Sequence, residues 1–121
     1  MAKTVCKILG VVFLLVGVCG FFAPHLLGAH LFPAHNLVHI VSGIVALYFG
    51  FAGTMSGAKT FCLVFGVVYL ALGVLGLAIG TGADREWNVA GILLFGKVDH
   101  FIHVLLGIVF LAGGLFTKAS D

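Results

Sequence analysis

Six histidines stand in a chain that has only four acidic and six basic residues. Two of them sit in apolar runs that open alike. "HNLVHIVSG" starts at His35 and "DHFIHVLLG" at Asp99, so His39 and His103 each follow a polar residue by four positions and precede a glycine by four. On a helix, residues four apart share a face one turn apart. His35 then stacks with His39, and Asp99 with His103. If the two helices meet, His35, His39, Asp99 and His103 form a set of imidazoles and one carboxylate that suits zinc, iron or copper. His39 and His103 facing each other also suit the two axial positions of a haem, or a chlorophyll. Asn36 and His100 hold equivalent places one residue on and are candidates to support such ligands. Proton relay or transport is a third use of the same residues. Capping competes with all three. His35, Asn36, Asp99 and His100 would satisfy free N–H groups at the start of a helix. His39 and His103, a turn deeper, would bond neighbouring backbone carbonyls.

Other chemistry is thinner. His25 and His30 lie in "APHLLGAHLFPAH", where Pro24 and Pro33 predict a short structured loop. With His35 they make a spaced trio for weak divalent-metal binding, or simply exposed loop histidines. Ser42 and Ser56 sit in no elbow motif, and there is no glycine-rich phosphate loop. Asp84 and Glu86 flank Arg85 and read as solvated charge. No enzyme activity is expected. Cys6, Cys19 and Cys62 have no metal-ligand spacing. They are expected to act as small apolar residues without a disulfide.

The elements that carry these residues follow from composition. The 121 residues are 62% hydrophobic and 8% charged, with a mean hydropathy of +1.28. Soluble domains carry about 25% charged residues. The chain therefore predicts an integral membrane protein, with no basic cluster for nucleic acid. Apolar segments run from about Val5 to Ala23, Leu37 to Ala52, Phe61 to Ile79 and Phe101 to Phe116. Each is near the length that crosses the hydrocarbon core, and backbone groups in lipid must bond within their own segment, so each predicts a helix. "VCGFFAPHLLG" has no good small-x-small cleavage site, so the first segment is expected to stay as a helix rather than act as a signal peptide. With four spans, Met1–Lys7, "TMSGAKT" and "TKASD" share one side. That side holds Lys3, Lys7, Lys59 and Lys118 against Asp121. The basic excess predicts that both termini are cytoplasmic. "VAGILLF" in the second outer loop is expected to lie in the interface or extend the fourth helix, and Trp87 suits the interface.

An internal repeat organises the chain. "KTVCKILGVVFLLVGVCG" from Lys3 and "KTFCLVFGVVYLALGVLG" from Lys59 share ten of eighteen positions. The second halves align at His35 and Asp99, so the extra length of the second copy falls in its outer loop. Each copy is a helical hairpin, about residues 3–53 and about 59–116, within a single domain of residues 1–121. The fold class predicted is an all-α membrane four-helix bundle. Two tandem hairpins inserted the same way up imply a pseudo-two-fold axis along the membrane normal. Gly10 and Gly17, Gly43 and Gly50, Gly66 and Gly73, Gly107 and Gly114 are spaced by seven, so each pair lies on one helix face. Small residues let helices approach in lipid, and Gly76 and Gly80 add another such step.

The pattern N-x-x-H-x-x-x-G at Asn36–Gly43, the third helix "FGVVYLALGVLG", and D-x-x-x-H-x-x-x-G at Asp99–Gly107 resemble the family of bacterial membrane proteins called domain of unknown function 4383. The resemblance spans Val5 to Leu115. It implies a small four-helix inner-membrane protein of a kind found in actinobacteria and cyanobacteria. Its characteristic polar positions carry over to Asn36, His39, Asp99 and His103. The chain departs at His100, where asparagine is expected. The family's name assigns no activity. Two expectations follow. One is an accessory or structural subunit of a photosynthetic or respiratory membrane complex, in contact with lipid, other subunits or further copies of itself. The other is a stand-alone metal- or haem-binding or proton-linked transport protein using His39, Asp99 and His103.

Overall fold

The computed structural model describes residues 1–25, 29–89 and 91–118. Asp121, counted in the charge comparison above, lies outside them, as do residues 26–28 of the histidine-bearing loop and Ala90.

Four helices form: α1 Ala2–Gly20, α2 Pro33–Phe51, α3 Met55–Ile79 and α4 Lys97–Leu115. Three are 19 residues long and α3 is 25. At 1.5 Å per residue this gives about 28 and about 37 Å, close to or beyond the hydrocarbon core of about 30 Å. All four are apolar enough to span a membrane. Their outward faces are hydrocarbon, with Leu15, Val41, Val67 and Leu105 all exposed. The chain is a multi-pass membrane protein.

The helices start earlier than hydropathy predicts. α2 opens at Pro33 rather than near Leu37, and α4 at Lys97 rather than near Phe101. Proline fits the first position of a helix, where its missing N–H costs nothing. A helix also continues into a polar first turn that an apolar window leaves out. His35, Asn36, Asp99 and His100 are therefore helical residues. The second loop also differs from expectation. Instead of extending α4, Leu93–Phe95 (β2) pairs antiparallel with Trp87–Val89 (β1), in the register Trp87–Phe95, Asn88–Leu94 and Val89–Leu93. Gly91 at φ +75 helps the chain reverse between the strands, and Gly96 ends the hairpin as the residue before α4.

Each helix packs chiefly on its neighbour in sequence, α1 on α2 and α3 on α4. A Cβ built on any of the eight spaced glycines would come within 2.5–2.9 Å of the facing helix. The partners correspond between hairpins. Gly10 meets Leu47 and Gly66 meets Leu111; Gly17 meets Ile40 and Gly73 meets Val104; Gly43 meets Leu14 and Gly107 meets Leu70. Between the hairpins lies a buried core. Cys6 and Cys62 are fully buried with their Sγ atoms 3.8 Å apart. Nearer the loops, the rings of Phe13, Tyr69 and Phe110 form a layer with centroids 5.7–6.1 Å apart.

Candidate functional site

Directly above that aromatic layer sit the histidines. Phe13 stacks on His39, and Tyr69 packs against His103, each at 5.5 Å between centroids. His35 lies 4.2 Å from His39 and 6.0 Å from His103. The three imidazoles are thus one cluster, and all are buried. Phe95 of β2 closes it from the loop end, edge-on to His35 at 4.9 Å and to His103 at 4.6 Å. Alternation along a three-residue strand is too short a signal to have marked Phe95 in the sequence.

Residues of the first loop hold the cluster in register. The Nδ1–H of His35 donates to the His30 carbonyl at 3.0 Å, since a carbonyl can only accept. The His30 backbone N–H and Nδ1 both donate to the Asp99 carboxylate, at 3.1 and 3.0 Å to Oδ2. Asp99 also accepts from the Gly96 N–H at 2.8 Å, capping α4. His30 therefore ties α2 to α4. It is a hinge of the site and not a freely exposed loop residue. Its role depends on a contact 69 residues away, which no local pattern announces. Among the described residues, His25 packs ring edges against His30 and Phe32.

Asn36 and His100, both fully buried, fasten the loops to the helices that follow. Asn36 Nδ2 donates to the Leu31 carbonyl at 3.1 Å, and His100 Nε2 to the Arg85 carbonyl at 2.6 Å. Each side chain fills the space over a glycine of the preceding helix, Asn36 over Gly20 and His100 over Gly76.

The four sequence-predicted ligands therefore do different work. His35, His39 and His103 come together. Asp99 gives its carboxylate to His30 and Gly96. Among the described residues, the ligand atoms of His30, Asp84 and Glu86 all lie within 4.8 Å of one another. The Nδ1 atoms of His39 and His103 are buried and have no hydrogen-bond partner among the described residues.

Two cavities open from the cluster into the seams between the hairpins. One of about 120 Å³ lies between α1 and α4, lined by Val12, Val16 and Ile102 with His35, His39 and His103. The other, of about 200 Å³, lies between α2 and α3, lined by Val38, Val68 and Leu72 with His35, His103, Ser42 and Tyr69. Both are smaller than the about 300–1,000 Å³ that ligand pockets usually offer.

A multi-pass four-helix bundle with an imidazole cluster buried under its loop end is the class of protein that these features define. The chain belongs to the family described as Domain of unknown function (DUF4383), whose model matches residues 3–116. No curated protein and no solved structure matches it.

Proposed function

We propose that this chain is a membrane-embedded binding protein. Its His35–His39–His103 cluster takes the polar head of a small apolar molecule, a carbonyl- or hydroxyl-bearing ring of the quinone or phenol type. The observation that carries this is that the Nδ1 atoms of His39 and His103 are buried and unpartnered among the described residues, on rings that line two mostly apolar cavities. An unsatisfied buried polar atom costs about 1–3 kcal/mol. A ligand carbonyl or hydroxyl would remove that cost, since a neutral imidazole nitrogen donates or accepts according to tautomer. The apolar remainder of the ligand would lie in a seam that faces the bilayer. A neutral head is favoured over a metal ion because Asp99, the only carboxylate lining either cavity among the described residues, is already engaged, and a buried charge without its counter-ion is costly. The corresponding contacts of the two hairpins support a duplicated unit about an axis along the membrane normal. That makes His39 and His103 equivalent. The lysine distribution supports termini in the cytoplasm.

The test is a thermal-unfolding series on purified protein in mild detergent, with decyl-ubiquinone and a short-chain menaquinone as probes. Wild type should gain stability with at least one probe. His39→Ala and His103→Ala should both lose that gain. A gain lost in only one variant, or kept in both, overturns the shared site. A Soret or chlorophyll band, or stoichiometric metal bound by the cluster in native protein, puts ligation in its place.

A second reading rests on the exposed hydrocarbon of all four helices. Those faces suit packing against another subunit or a second copy as well as lipid. As an accessory subunit of a photosynthetic or respiratory complex, the chain should co-migrate with that complex on native gels of solubilised membranes. Migration as a lone small species counts against this role.

A further inference from the structure

A second constellation lies outside the buried cluster, where the loop before α2 meets the loop after α3. We propose that His30, Asp84 and Glu86 bind a divalent transition cation, zinc foremost, which bridges the two hairpins at the loop end of the bundle. One donor atom from each residue lies within 4.8 Å of the others. Tetrahedral ligands at about 2.0–2.2 Å from one zinc sit about 3.3–3.6 Å apart, so the set closes around the ion with side-chain movements of about an ångström.

The hydrogen bonds around His30 point the same way. Asp99 is buried and accepts the Nδ1–H of His30, so Nε2 presents its lone pair when the ring is neutral. That lone pair faces Asp84 Oδ2 at 3.5 Å, long for a hydrogen bond. A cation between two acceptors so placed would remove their repulsion. A carboxylate behind the imidazole is also the arrangement that orients metal-binding histidines. Asp84 turns its other oxygen, Oδ1, toward the Lys97 N–H at 3.4 Å, leaving Oδ2 for the ion. Gly96 makes the space: a Cβ there would collide with both Asp84 Oδ2 and the His30 ring. Arg85, between the two acids, directs its guanidinium at the Gly80 carbonyl at 3.4 Å. One imidazole and two carboxylates neutralise a divalent ion and suit zinc, manganese or ferrous iron. None of these ligands belongs to the His35, His39, Asp99 and His103 set; Asp99 stands behind the site as the partner of His30.

The experiment uses full-length protein stripped with EDTA and desalted. Zinc is then added, with magnesium as control, and bound metal and the unfolding midpoint are read. Wild type should hold one zinc and unfold at a higher temperature with zinc but not with magnesium. His30→Ala also removes the anchor for Asp99, so the surface variants Asp84→Asn and Glu86→Gln decide the matter. Both should keep the metal-free midpoint and weaken zinc binding at least about tenfold, the scale at which even supporting partners of a metal site act. Absence of stoichiometric zinc in wild type overturns the proposal, as does full zinc binding by both variants. A zinc response lost in His39→Ala but kept in Glu86→Gln also overturns it and places the metal in the buried cluster. The binding of an apolar ligand at that cluster stands or falls separately.

Discussion

His100 shows how one side chain can be admitted by a glycine it never neighbours in sequence. Its ring fills the space over Gly76 and donates from Nε2 to the Arg85 carbonyl. Asn36 does the equivalent over Gly20 with the Leu31 carbonyl. α4 carries histidine where α2 carries asparagine, and the fold accommodates both, because the longer side chain still finds a carbonyl to accept its proton. A methyl group at Gly76 would collide with the imidazole. Gly76→Ala should cost about 1–3 kcal/mol, the range for overpacking a full interior, measured as a lowered unfolding midpoint in detergent. Part of that cost should vanish in the Gly76→Ala/His100→Ala double variant, because the two changes share one contact. Additive effects would show that the ring is not what the new methyl meets.

At the level of elements, the first turn of α4 holds the loop end together. Asp99 is its acidic residue and caps Gly96. It also gathers the His30 N–H and ring, through which His35 is oriented. Charge-assisted bonds of this kind are shorter and stronger than neutral ones. Asp99→Ala should destabilise the protein by about 1–3 kcal/mol, since it strips a cap and leaves buried donors without an acceptor. Backbone amides at residues 29–31 should then exchange with deuterium faster than those of the α1–α2 contact. Unchanged protection at 29–31 would mean that the loop is held by something other than Asp99. The helices themselves were readable as spans because apolar length is a local property. Their first turns were not, because polar residues there hide a backbone that continues unbroken from Pro33 and Lys97. The β1–β2 hairpin was also missed, since "VAGILLF" is apolar enough to pass for helix and only its pairing with Trp87–Val89 decides the matter.

For the whole molecule, two hairpins meet along the aromatic layer and the buried thiols. Phe110 is fully buried and touches Phe13, Phe61, Phe65 and Tyr69, contributed by both hairpins. Phe110→Ala should cost about 3–5 kcal/mol, read as the largest midpoint loss among single core changes. Four spans put both termini on one side. Lys59 on that side reaches the Gly114 and Thr117 carbonyls at 2.6 Å, satisfying the end of α4. With the lysine bias toward the cytoplasm, a fluorescent protein fused after residue 121 should fold and shine in cells. A cysteine placed at Asn88 should react with a membrane-impermeant maleimide from outside. A dark fusion with protected Asn88→Cys would reverse the orientation.

The sequence by itself determined the membrane class, the number of spans and the eight glycine positions. It also singled out His35, His39 and His103. All of these follow from composition and from spacing within one helix or between two similar stretches, which the chain carries locally. Only the tertiary structure decided that Asp99 serves His30, that Phe95 closes over His35 and that His30 stands beside Asp84 and Glu86. Those contacts join residues dozens of positions apart. Their partners are chosen by how the hairpins pack and the loops fold over them, a geometry that no run of neighbouring residues encodes.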